Sequence, residues 1–193
     1  MESKHLVDIA EAFPQLVIDL KYATADNIAG RPIYRDARCL LHTEAADALA
    51  KSISIARVAG YTLLVLDAYR PPSAQAVLWE ACPNPDYVVP LSRGSNHSRG
   101  TAIDVTLIDE HGAIVDMGTG FDEMSEHSHP YHPAVALKAQ RNRLMLNAIM
   151  LGGGFTSIST EWWHFELPGA EHYPVIDGVF DCYSSAQAEN IGA

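Results

Sequence analysis

The sequence predicts one α+β domain, a small antiparallel sheet flanked by helices. Three observations carry this: two long stretches with apolar residues at three- and four-residue spacing, several short apolar runs rich in strand formers, and neither an internal repeat nor a linker along 193 residues. A chain of that length can bury a substantial core without disulfides or structural metals. The domain is taken to span residues 1–193.

Thr43 to Ala59 reads as the first helix, with Thr43 as N-cap, Ala46, Leu49, Ile53 and Ala56 on one face, and Gly60 as the stop. Tyr61 to Leu66 reads as a strand, ended by Asp67 and by the Pro71-Pro72 pair. Ser73 to Ala81 follows as a short helix with Trp79 buried, and Cys82-Pro83-Asn84-Pro85-Asp86 must turn. Thr101 to Leu107 alternates. In a strand there, Ile103, Val105 and Leu107 share the face of the main apolar layer, while Ala102, Asp104 and Thr106 point away from it.

Residues 109–133 are rich in Gly, Pro, His and acidic side chains, the composition of an elaborated loop over a surface or site. Ala134 to Leu151 reads as the second long helix, with Leu144, Met145 and Ile149 among its apolar residues and Gly152-Gly153-Gly154 as its end. Trp162 to Leu167 is the last strand, and the tail beyond Asp181 reads as frayed.

Composition excludes several classes of function. Apolar residues make up 48% and charged residues 19%, an ordinary globular balance. The formal charge of −11, from 24 acidic against 13 basic side chains, repels a phosphate backbone, so nucleic acid is not an expected partner. Arg141 and Arg143 form the densest positive stretch and read as a solvated helix face. Cys39, Cys82 and Cys182 are odd in number and far apart, which indicates neither a disulfide framework nor a thiolate metal site. Acidic residues at Glu2, Asp8 and Glu11 interrupt what a signal peptide would need, and no apolar run is long enough to span a membrane; cytoplasmic residence is the expectation, with the periplasm as the alternative. Oligomeric state leaves no mark in the sequence.

The chemistry sits in two fragments. Ser95-Asn96-His97-Ser98-Arg99-Gly100-Thr101-Ala102-Ile103-Asp104 puts an imidazole in a loop and a carboxylate on the polar face of a strand. Gly100 permits a positive-φ turn that folds His97 back toward Asp104. Glu161-Trp162-Trp163-His164 adds a third ligand and, three residues earlier, a carboxylate that can lie beside a metal without ligating it. Two His and one Asp leave a zinc site with an open fourth position. One carboxylate leaves a net +1, which lowers the pKa of a coordinated water toward roughly 7, and Glu161 can take its proton. Trp162 and Trp163 read as core and pocket wall. His127, His129 and His132 form a rival cluster, although Pro130 and Pro133 break regular geometry there.

With these motifs in hand, the chain resembles the vancomycin-resistance type of D-alanyl-D-alanine dipeptidases, within the wider zinc D,D-carboxypeptidase and hedgehog-like family. The wider pattern is S-x-H-x-x-G-x-A-x-D with a late E-x-x-H, intact at Ser95 to Asp104 and Glu161 to His164. Lys21-Tyr22-Ala23-Thr24, Asp67-Ala68-Tyr69-Arg70-Pro71 and Gly120-Phe121-Asp122-Glu123-Met124 extend the likeness over nearly the whole chain. The resemblance implies a hedgehog/D,D-peptidase-like fold and one zinc per chain on His97, Asp104 and His164. It further implies Glu161 as general base, Arg70 facing the oxyanion, Asp122 pairing with a substrate ammonium, and Ser95 and Tyr22 as substrate contacts. Read from the residues alone, Arg70 could instead simply pair with Asp67, and Asp122 could be a solvated carboxylate in an acidic loop. The implied reaction is hydrolysis of the D-Ala-D-Ala dipeptide; the alternatives are a D,D- or L,D-carboxypeptidase of longer peptidoglycan peptides, or a zinc-binding module without catalysis.

Overall fold

A computed structural model describes residues 5–183; the tail read as frayed lies outside the described residues from 184 onward. Five strands form the main sheet in the order β2 (Val17–Ile18), β4 (Thr62–Asp67), β5 (Ala102–Ile108), β7 (His164–Glu166), β6 (Thr156–Ser157). Each neighbouring pair among the last four is antiparallel, whereas β2 runs parallel to β4. The expectation of an antiparallel sheet is therefore corrected at one edge. The chain between β2 and β4 contains helix α2 (Thr43–Val58), a crossover long enough to bring the two strands in side by side with the same direction. Before α2, β1 (Leu6–Asp8) pairs antiparallel with β3 (Leu40–His42), and the one-turn α1 (Ile9–Ala12) lies between them. None of these is long enough to show a period in the sequence.

Helix α2 buries Ala46, Leu49 and Ala56 as its spacing predicts, with Ile53 partly buried. Its cap is His42 rather than Thr43: the His42 ring Nδ1 accepts the Glu44 N–H at 3.3 Å, and Thr43 is already the first helical residue. Helix α3 (Pro72–Ala81) starts on the proline itself, because at the first helical position the missing N–H is no loss. Trp79 is only partly buried; Ala74, Gln75, Val77 and Leu78 form the inward face.

Helix α4 (Leu137–Gly153) differs most from its prediction. It starts three residues later than Ala134, after a turn in which the Val135 N–H bonds His132 O. It runs through Gly152 and Gly153, because a Cβ at Gly153 would sit 1.9 Å from Ser52 Oγ and 2.8 Å from Ala48 O, so only glycine lets α4 lie this close to α2. Gly154, at φ 110°, is the actual stop. The buried face carries Ala139, Arg143, Leu146, Ile149 and Met150, leaving Leu144 and Met145 exposed. Arg143 is thus not on a solvated face; Arg141 is exposed.

On β5, Ile103, Val105 and Leu107 join Leu63, Val65, Leu49 and Met150 in the core between sheet and helices, as the alternation predicts. The opposite face carries Asp104 and Thr106, which are also buried, beneath the long loop. All three cysteines are free thiols. Among the described residues no helix is long and apolar enough to cross a membrane.

Candidate active site

Register assembles the site. Asp67 on β4 pairs with Asp104 on β5, and Asp104 pairs with His164 on β7, so three functional side chains form a row across the sheet. A one-turn 3₁₀ segment, His97–Arg99, sets His97 above this row. It ends at Gly100, whose φ of 70° is the left-handed turn predicted for it; a Cβ there would meet Leu6 Cδ2 at 2.7 Å and the His42 N at 3.0 Å. Ser95 Oγ accepts the His97 N–H at 3.2 Å and helps shape the turn.

His97 Nε2, His164 Nδ1 and Asp104 Oδ1 form a triangle with edges of 3.1, 3.2 and 3.4 Å. Hydrogen bonds decide which atoms face inward. His97 Nδ1 is 2.8 Å from Ala68 O, an acceptor only, so it donates; His164 Nε2 donates to Glu166 Oε2 at 2.9 Å. The remaining ring nitrogens and Asp104 Oδ1 are then three lone-pair donors converging in a buried space, an arrangement that repels itself unless a cation sits among them. Tetrahedral ligands at zinc are roughly 3.3 Å apart for bonds of about 2.0–2.1 Å, so these edges fit.

Electrostatics agree with that reading. Burial works against charge on Asp104, yet His97 and His164 hold its carboxyl well below the usual range. Burial also opposes charge on His164, but Asp104 and Glu166 outweigh it and raise the ring to about 10. The pocket favours positive charge at this point, which a proton or a metal ion can provide. Among the described residues, His97, Asp104 and His164 are the one group of three or more such side chains whose ligand atoms lie within 4.8 Å of one another. The rival cluster is therefore not assembled: His127 and His132 rings are 4.7 Å apart, but with His129 they do not converge on one point.

Glu161 Oε2 lies 4.0 Å from His164 Nδ1, beside the triangle and outside it. Burial pushes its carboxyl up to about 8, with His164 pulling the other way. Arg70 packs against Asp104 from the other side, Nη2 to Oδ2 3.5 Å. It also pairs with Asp67, through Nε and Nη2 at 2.9 Å each, and donates from Nη1 to Gln75 Oε1 at 3.0 Å. Its guanidinium stacks 4.7 Å above the Tyr22 ring. The Tyr22 hydroxyl donates to Asp122 Oδ1 at 3.0 Å and the Ile28 N–H to Asp122 Oδ2 at 3.2 Å. Asp122 is not a solvated carboxylate, and burial raises it to about 6 against those two donors and Arg70. Arg70, Ser95, Tyr22, Asp122 and Glu161 all line one cavity of about 560 Å³ with the three triangle residues. Trp163 walls it, and Trp162 packs edge-on against Trp163.

Two anchors had not been singled out as site residues. Glu166 takes hydrogen bonds from His164 and from Asn96 Nδ2, the latter at 2.9 Å. Its signal was present, two residues after His164 in a strand and so on the same face. Asp67, fully buried, accepts from Arg70 and from the Tyr34 hydroxyl at 2.7 Å. Nothing local in the sequence marks it as the neighbour of Asp104.

A buried two-histidine, one-aspartate centre beside a free carboxylate, on an α+β scaffold, defines a metallohydrolase class of site. The chain belongs to the M15 peptidase family, whose sequence model, described as D-ala-D-ala dipeptidase, matches residues 2–186. It is 62% identical over 190 residues to the D-alanyl-D-alanine dipeptidase of Escherichia coli K12, covering 98% of both chains. The D-alanyl-D-alanine dipeptidase of Enterococcus faecium is 38% identical over 177 residues, 81% of this chain and 87% of that one. That of Streptomyces coelicolor is 33% identical over 175 residues, 80% and 87%. This protein is accordingly an enzyme, a metallopeptidase of the M15 family.

Proposed function

We propose that the enzyme hydrolyses D-Ala-D-Ala to two D-alanines with one zinc per chain. The observation that carries this is the placing of a lone-pair triangle, a carboxylate base and a guanidinium around one cavity, with a second buried carboxylate, Asp122, on its wall. Zinc held by His97, Asp104 and His164 would supply Lewis acidity, polarising the amide carbonyl and acidifying water.

The chain's own groups do the rest. Glu161 takes the proton from the attacking water as the C–O bond forms, and returns it to the amide nitrogen as the C–N bond breaks, so the second D-alanine leaves as an amine. A carboxyl raised to about 8 by burial can both accept and release a proton near neutral pH. Arg70 has five N–H donors, and Asp67 and Gln75 engage three, which leaves donors for the oxyanion without loss of the guanidinium's anchoring. Ser95 and Tyr22 contact the substrate's other polar groups.

Asp122 selects the free dipeptide. Its carboxylate matches an ammonium, which D-Ala-D-Ala carries and a longer peptide replaces with an amide. N-acetyl-D-Ala-D-Ala is therefore expected to be a far poorer substrate, and a preference for the acylated form refutes the assignment. The sign of the pH dependence follows. Asp122 binds the ammonium only when ionised, so KM for D-Ala-D-Ala should rise as pH falls through about 6, by about tenfold per unit below that point. Steady-state kinetics between pH 5 and 8 check this, and Asp122→Asn should flatten the dependence while raising KM throughout.

A further inference from the structure

We propose that Arg143, remote from the metal centre, is a positioning residue for substrate: from helix α4 it holds the loop that carries Asp122 and steadies the entry to β7 that carries Glu161. The inference rests on the dipeptidase reading above.

Arg143 is 1% exposed although it lies in the middle of α4. Its Nε donates to Met117 O at 2.7 Å, its Nη1 to His129 O at 2.9 Å and its Nη2 to Thr119 Oγ1 at 3.2 Å. Every one of these partners is uncharged and every one belongs to the loop. Burial works against the guanidinium's charge and the carboxylates of Glu123 and Asp116 only partly offset this, so packing alone does not account for an arginine here. What it contributes is direction, since three donors in a rigid fork fix two separated points of the loop relative to each other.

Two neighbours on α4 act on the same segment. Asn142 Nδ2 donates to Asp116 O at 2.8 Å and Gln140 Nε2 to Pro130 O at 2.7 Å. Both ends of the segment 116–130 are thereby tied to one helix. The Thr119 hydroxyl that receives Arg143 also accepts the Trp162 Nε1–H at 2.8 Å, and the Trp162 N–H bonds Ser128 O at 3.0 Å. Trp162 directly follows Glu161, and the Arg143 guanidinium lies 6.0 Å over its ring. One side chain therefore connects the loop to the strand entry that bears the base.

The loop needs such ties. On its inner side Phe121 packs against Tyr22 and Trp163, and Asp122 adopts φ 59°, a left-handed conformation uncommon outside glycine, to reach Tyr22 and Ile28. On its other flank Met117 is buried in the main core and Gly118 lies close against Val135 and Ala139, while an open cavity of about 540 Å³ borders Thr119 and Phe121. Packing and the Tyr22 and Ile28 hydrogen bonds seat Asp122, and the hydrogen bonds from α4 add the direction that fixes the rest of the loop relative to them.

The test uses the full-length zinc-loaded enzyme with D-Ala-D-Ala as substrate. Arg143→Met should bind zinc as the wild type does, while KM rises roughly tenfold or more and kcat falls by less, since a displacement of about 1 Å is enough for such losses. Arg143→Lys should recover part of the loss, because one ammonium can satisfy some of the same acceptors. Thr119→Val, which removes only the shared hydroxyl, should raise KM about threefold and serves as the test if Arg143→Met does not fold. A purely structural role would lower the melting temperature and the active fraction and leave KM unchanged, and that result in the folded variants overturns the inference. No hydrolysis by the wild-type enzyme would overturn the dipeptidase reading and this inference with it; wild-type turnover with unmoved KM in the variants overturns this inference alone.

Discussion

Glu161→Ala is expected to bind zinc like the wild type and to lose about 100- to 10,000-fold in kcat, the range of a general base removed from its site. Geometry gives both halves of the result. The Glu161 carboxylate is 4.0 Å from His164 Nδ1, whereas the three ligand atoms are 3.1 to 3.4 Å from one another, so removing it leaves the metal's own ligands in place. It also removes a buried cavity carboxylate that is not held as Asp122 is by Tyr22 and Ile28 or as Glu166 is by His164 and Asn96. Glu161→Gln should be as inactive, which separates the loss of a base from the loss of volume. Metal content by atomic absorption, alongside turnover, checks the prediction.

The same residue has a stability signature in the metal-free protein. Burial raises Glu161 from about 4.5 to about 8, so the native state holds this proton more tightly than the unfolded chain does. Its contribution is complete below about pH 4.5 and is lost as pH rises through about 8, so Glu161→Gln should gain in melting temperature over the wild type across that window.

Arg70→Ala carries the second large effect, about 100- to 1000-fold in turnover. The oxyanion exists only after attack, so the loss should fall on kcat more than on KM. Arg70→Lys should not rescue it. A single ammonium lacks the planar fork that lets Arg70 reach Asp67 at 2.9 Å and Gln75 at 3.0 Å from separate nitrogens while other N–H groups stay available to the cavity. Both variants should also be less stable, because Asp67 is fully buried and would keep only Tyr34 and His97 as neighbours for its charge. Comparing kcat in the folded fraction with the melting temperature separates the two losses.

The clustering of His97, Asp104 and His164 was legible because each of these parts has a local sign. Strand alternation put Asp104 opposite Ile103 and Val105, and Gly100 marked the turn that returns His97 to the strand. The three-residue step from Glu161 to His164 sets a carboxylate beside the cluster and outside it. What was missed depends on partners distant in sequence. Asp67 meets Asp104 only through the pairing of β4 with β5, and Tyr34, which bonds it, lies 33 residues away. Arg143 reads as solvated because hydrophobicity alone marks apolar residues such as Leu144 and Met145, which the fold leaves exposed, and gives no sign of a buried arginine. The carbonyls that make an arginine acceptable inside come from Met117 and His129, and nothing near Arg143 announces them. The parallel pairing of β2 was hidden for a similar reason, since two residues show no period.

The central claim is that hydrolysis of a D,D-dipeptide occurs at the His97, Asp104 and His164 centre with one zinc per chain. The most direct measurement strips the enzyme of metal with a chelator, titrates Zn²⁺ back, and follows release of D-alanine from D-Ala-D-Ala beside L-Ala-L-Ala. Activity on the D,D-dipeptide should be absent in chelator and rise linearly to a plateau at one equivalent of zinc, with Asp104→Ala failing to respond and the L,L-dipeptide left intact. Full hydrolysis in the presence of chelator, or stoichiometric zinc binding at these residues with no release of D-alanine, would contradict it.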